Sequence, residues 1–118
     1  MKMTKLIDLN YLKEIMDGKK ELILGMIDTF LSQLPEELLG INNAVRKSEY
    51  SVIKKLAHTM ISSVSIMGVS ILVPVLKEME ELGSQALDMA KINELNLKLN
   101  FLSQQVIEEI KSERLNYL

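Results

Sequence analysis

Apolar residues recur every three or four positions along most of the chain, and no run alternates as a half-buried strand would. A short first helix is predicted over Leu9 to Met16, stopped by the turn dipeptide Asp17-Gly18. A second begins near Lys19 and carries Leu22, Met26, Phe30 and Leu34 at every fourth position. Pro35 lacks a backbone donor, so a kink or break is expected there before Leu38, Ile41 and Val45 resume the stripe. The polar run Arg46-Lys47-Ser48-Glu49-Tyr50 reads as a turn, with Ser48 the expected N-cap of a third helix from Glu49 to Met67. Gly68 supplies the stop. A fourth helix is expected from Ser70 to Leu82, with Pro74 tolerated in its first turn and Gly83 ending it. The last, from Asp88 to Arg114, sets Ile92, Leu95, Leu99, Leu102, Val106 and Ile110 on one face. Four long amphipathic helices with short connections, behind a short N-terminal helix, predict an all-α fold, an antiparallel four-helix bundle. Residues 1–118 are read as one domain.

Composition narrows the function classes. With 47% apolar and 25% charged residues in 118, the chain has the balance of a globular domain rather than a disordered one. It has no cysteine, which excludes a disulfide framework and any thiolate metal site. Sixteen acids against fourteen bases give a net charge of −2, a poor footing for nucleic acid, whose phosphates require a basic stripe. The start Met1-Lys2-Met3-Thr4-Lys5 leads into no apolar core of a secretory signal. Thr59 to Leu76 is uncharged, but four serines, Gly68 and Pro74 interrupt it, so it reads as the end of one helix and the start of the next rather than a membrane span. A soluble, cytoplasmic monomer is expected, with no nucleic-acid or membrane partner. From the Met1 start, a free protein is expected rather than a domain cut from a longer chain.

Chemistry has few places to go. A single histidine, His58, rules out a di-iron site built on two Glu-x-x-His motifs. No Gly-x-Ser-x-Gly elbow supports a serine hydrolase, and the five glycines are scattered rather than gathered into a phosphate loop. Glu36, Glu37, Glu78, Glu80 and Glu81 are read as solvated helix faces rather than metal ligands, since adjacent residues diverge around a helix. The eight methionines, at helical spacing, are read as core filler. Winding the third helix at about 100° per residue puts Val52, Ile53, Leu56, Met60, Ser63, Val64 and Met67 opposite His58. Ser51, Lys54, Lys55, Ser62 and Ser65 share the histidine's side, with Ile61 and Ile66 on its flanks. The imidazole is therefore expected at the centre of the outward face.

The run Leu56-Ala57-His58-Thr59-Met60-Ile61-Ser62-Ser63-Val64-Ser65-Ile66-Met67-Gly68 resembles the signature of histidine-containing phosphotransfer (HPt) domains, roughly A-H-x-L-K-G-S-S-x-x-L-G. Ala57, His58, Met60, Ser63, Met67 and Gly68 carry the match. Val75 to Gly83 is similar to the helix that follows in that family, and Phe30-Leu31 with Leu34-Pro35-Glu36 to its second helix. The likeness covers about residues 9 to 112. Ile61 stands where the family usually has lysine, and Ser62 where it usually has glycine.

The resemblance implies a phosphoryl carrier, not an enzyme with its own ATP site. His58 would accept a phosphoryl group from the aspartate of a receiver domain, in a response regulator or a hybrid histidine kinase, and pass it to another receiver. The chain would need no cofactor or metal of its own, the Mg²⁺ belonging to the receiver. Lys54 and Lys55 are candidates to replace the absent lysine, Ser62 keeps the approach to the ring open, and Ile61, Ser65 and Ile66 are candidates for docking the partner. The competing reading is an interaction module of the same shape that binds a receiver or kinase without being phosphorylated.

Overall fold

The computed structural model describes residues 6–118; Met1 to Lys5, where the sequence shows no secretory signal, lie outside the described residues. All regular structure among the described residues is helical: α1 (Asn10–Ile15), α2 (Lys20–Arg46), α3 (Tyr50–Ile66), α4 (Val73–Gln85) and α5 (Met89–Arg114). Short 3-10 turns precede α4 and follow α5. Helix α2 packs on α3 and α5, and α4 packs on the same two, so the four longer helices close a ring. Inside the ring, Ile23, Ile27, Leu34, Ile41, Ile53, Met60, Leu76, Met79 and Ile92 are among the side chains removed from solvent. Each such burial stabilises the fold by about 1.5–3 kcal/mol before the opposing chain entropy.

The apolar pattern located the helices, and the structure corrects it in detail. Helix α2 runs unbroken through Pro35, whose ring lies on the exposed side. Buried Leu34, Leu38 and Ile41 tie the helix to the core on both sides of the proline, and this tertiary anchoring offsets one missing backbone bond. The inner stripe of its first half is Ile23, Ile27, Phe30 and Leu34, one residue away from the expected Leu22 and Met26; Leu22 is exposed and Met26 half-buried. Ser48 is not an N-cap. It takes a left-handed conformation (φ 56°) in the turn after α2, where the Glu49 N–H donates to the Ala44 carbonyl. Gly83 does not end α4, which continues to Gln85 and closes on Ala86 in a left-handed conformation (φ 54°).

The expected stop at Gly68 holds, and side-chain contacts fix other helix ends. Asp88 caps α5, accepting the Lys91 N–H at 3.0 Å. Gly68 follows α3 at φ 69°, and a side chain there would collide with the Asp8 backbone, whose N–H donates to the Gly68 carbonyl at 2.9 Å. The Glu109 carboxylate takes the Leu6 and Ile7 N–H groups at 2.9–3.0 Å, so the segment before α1 is held at both points. Between α2 and α5, Asn42, Asn96 and Asn100 form a half-buried amide cluster with bonds of 2.8–3.1 Å that satisfies polar groups in the seam. Among the described residues no helix is long and apolar enough to cross a membrane.

Candidate functional site

Helix α3 is locked by its inner face. Ile53, Ala57, Met60 and Val64 are buried, and Met67 just beyond the helix is buried too. With those positions turned inward, helical geometry leaves residues 54, 55, 58, 62 and 65 facing solvent. The His58 side chain is 72% exposed, at the middle of that face. Directly inside it, Ala57 sits against the core with no exposed surface. Val52, expected on the inner face, is exposed instead (38%), because Ile53 occupies the core position at that level.

The imidazole has a partner that periodicity did not point to. Glu80 of α4 reaches across to it, with Oε2 2.8 Å from Nδ1. An ionised carboxylate only accepts, so Nδ1 carries the proton and donates, which leaves the lone pair of Nε2 facing solvent. Glu80 is not a solvated face: its side chain is 26% exposed, held in the α3–α4 seam beside buried Met79. Glu37 of α2 corrects the same expectation on the other side of α3. Its Oε2 accepts from Ser63 Oγ at 3.4 Å and its Oε1 is buried without a partner. Burial pushes the Glu37 carboxyl above its ordinary range, and the Ser63 hydroxyl opposes this only partly. A helical register tells which face each acid flanks. Which helix lies against that flank is tertiary information, so neither contact was legible before the fold.

Of the residues the sequence singled out, Lys54, Lys55 and His58 come together in one open depression, with Ser51, Thr59 and Glu80 completing its rim. Lys54 is one turn before His58 and also borders the adjoining groove along α4 with Lys77 and Glu81. Ser62 and Ser65 are exposed on the same face beyond the histidine. The two flanking isoleucines part company. Ile61 is half-buried and packed against the core, whereas Ile66, 37% exposed, borders a separate apolar hollow over the α2–α3 seam with Met26, Phe30 and Gln33. Among the described residues, no three His, Asp or Glu side chains converge as a metal site would require.

What this arrangement can do is specific. A neutral imidazole with its proton held on one nitrogen presents the other as a nucleophile, unhindered and ringed by two lysines.

No curated protein matches the sequence. Among solved structures, the chain is similar to the crystal structure of histidine-containing phosphotransfer protein B (HptB) from Pseudomonas aeruginosa PAO1. The TM-score is 0.88 and the identity 21%, with 98% of this chain and all of that one covered. At this identity the likeness speaks for the fold. The sequence itself matches the family model of the Hpt domain over residues 25–112, which include α3, α4 and most of α2 and α5. The chain belongs to the Hpt domain family.

Proposed function

We propose that the chain is a phosphorelay carrier in which His58 accepts a phosphoryl group from a receiver-domain aspartate and returns it to another receiver. The observation that carries this is the Nδ1–Glu80 bond, which leaves Nε2 free on a 72% exposed ring. In the forward step the Nε2 lone pair attacks phosphorus and the bond from phosphorus to the aspartyl oxygen breaks. The leaving carboxylate stays on the receiver, and the ring becomes a phosphoimidazolium whose Nδ1 proton faces the Glu80 carboxylate. In the reverse step neutral imidazole departs, with no proton to find. Phosphoryl transfer demands in-line positioning and charge neutralisation more than covalent help, and the receiver, with its Mg²⁺, supplies most of both.

Lys54 and Lys55 add positive charge to the rim where the family's usual lysine is replaced by Ile61. Ser62 keeps the approach clear, and Ser65, Ile66 and the exposed edge of Ile61 meet the receiver. The ring of helix contacts is read as an antiparallel four-helix bundle with a short extra N-terminal helix, acting as one domain and as a monomer. Incubation with a phosphorylated receiver tests the reading: label should enter the wild-type chain and leave it when fresh unphosphorylated receiver is added. A chain that binds the receiver but takes no label would instead be an interaction module, and the proposal would fall.

A further inference from the structure

One turn along from the His58–Glu80 pair, α3 and α4 touch backbone to backbone. Gly83, buried, follows Glu80 by three residues, and Lys54 precedes His58 by four. A methyl group on Gly83 would stand 2.9 Å from the Tyr50 carbonyl oxygen, 3.0 Å from the Lys54 nitrogen and 3.3 Å from the Lys54 Cα. All three are main-chain atoms, so no side chain can swing aside to make room. The two helices would have to separate instead. Glycine is a poorer helix former than alanine, yet α4 runs through it for two more residues. Its use is therefore close approach, not a turn.

We infer that Gly83 is a positioning residue for phosphotransfer: its missing side chain sets the α3–α4 spacing at which Glu80 reaches Nδ1 of His58 and fixes the ring's tautomer. The link to transfer rests on the function proposed above; the link to the tautomer does not. A carboxylate at 2.8 Å has little slack. Hydrogen bonds lengthened by several tenths of an ångström weaken and lose their hold on geometry. Spreading the helices at Gly83 acts one turn away on the same seam, where Glu80 has only its own side-chain length to compensate.

The test reads the ring directly. With a single histidine, the imidazole nitrogen shifts in an NMR spectrum taken at alkaline pH report one tautomer equilibrium. Wild type should show the proton held on Nδ1. Gly83→Ala should stay folded by circular dichroism and shift the ring toward the mixed tautomers of free histidine, while Gly25→Ala, at a site with open space, should not. Glu80→Asp provides an independent arm, since the carboxylate is then one methylene short at an unchanged helix spacing. It should lose the Nδ1 preference with the fold intact.

Four results would overturn the inference. Gly83→Ala could keep the wild-type tautomer, or it could unfold, which would make the contact a requirement of the bundle rather than a device for the pair. Glu80→Asp could retain the preference, showing that the helices adjust freely. Because the tautomer needs no phosphoryl donor, a failure of labelling in wild type would count against the proposed function and not against this placement. If the tautomer moves in Gly83→Ala, transfer from a phosphorylated receiver should fall in the same variant. Unchanged transfer would overturn the positioning role.

Discussion

Glu80 reaches His58 from α4 at 2.8 Å, while Glu37 approaches Ser63 from α2 at 3.4 Å with its second oxygen buried and unpartnered. Both are glutamates flanking α3, and both looked alike in the sequence. The seam each one enters makes them different. Glu80 meets a donor and stays partly open to water, so its carboxylate holds one nitrogen of an exposed ring. Glu37 enters a seam where burial outweighs the one weak hydrogen bond, and its carboxyl is held above the ordinary range. The comparison teaches that on a bundle surface the partner across the seam, rather than residue type or helical register, decides whether an acid serves chemistry.

The largest effect that would break this contrast is kinetic. Glu80→Ala should slow phosphotransfer to His58 by on the order of tenfold or more, the scale on which loss of a group that orients an imidazole is felt. Glu37→Ala should leave it near wild type. Equal losses in the two variants would mean that the acids act on the site only through bulk charge. The measurement is the initial rate of label transfer from one phosphorylated receiver.

Docking sharpens the contrast between the flanks. Ile66→Asp puts a charge at the apolar hollow on the α2 side, and apolar centres inside polar rims carry most interface energy, so receiver affinity should drop severalfold with helix content unchanged. If the variant unfolds, Ile66 belongs to the core. Ile61→Lys acts on the other flank. Phosphohistidine carries about two negative charges, but a solvent-exposed pair is limited by screening to about 1 kcal/mol or less, a factor of up to about five in equilibrium. The phosphorylated fraction should rise by up to that factor, more at low salt. Lys54→Ala and Lys55→Ala should lower it if either lysine substitutes for the one Ile61 displaces.

The smallest effect is on stability. The folded chain holds the Glu37 proton more tightly than the unfolded chain, so this residue's contribution is fully present below the ordinary carboxyl value of 4.5. It is lost as pH rises through the raised folded value. Glu37→Gln should flatten that decline in denaturation midpoints. An unchanged slope in Glu37→Gln would show that the carboxyl is solvated after all.

The helices and the site's centre were legible for the same reason: periodicity reports which residues of one helix share a face, and His58 stands opposite a continuous apolar stripe. Ala57, His58 and Gly68 were picked out together by the resemblance to the HPt signature, and the structure adds the physical need behind two of them, exposure for the ring and a positive φ for the glycine. Glu80 and Gly83 were misread because their reasons lie in another helix. A glycine near the end of a helical run looks like a stop, and only the Tyr50 and Lys54 backbones beside it reveal a contact. Pro35 misled in the opposite way, since a local defect was outweighed by Leu34 and Leu38 packing on either side of it.

The central claim is that one nitrogen of one histidine carries the phosphoryl group. Mixing the chain with a phosphorylated receiver, then measuring incorporated phosphate and its acid and base stability in wild type and His58→Gln, tests it most directly. The account predicts at most one phosphoryl group per chain, labile in acid and stable in base, and none in His58→Gln. Label retained at wild-type level in His58→Gln would contradict it.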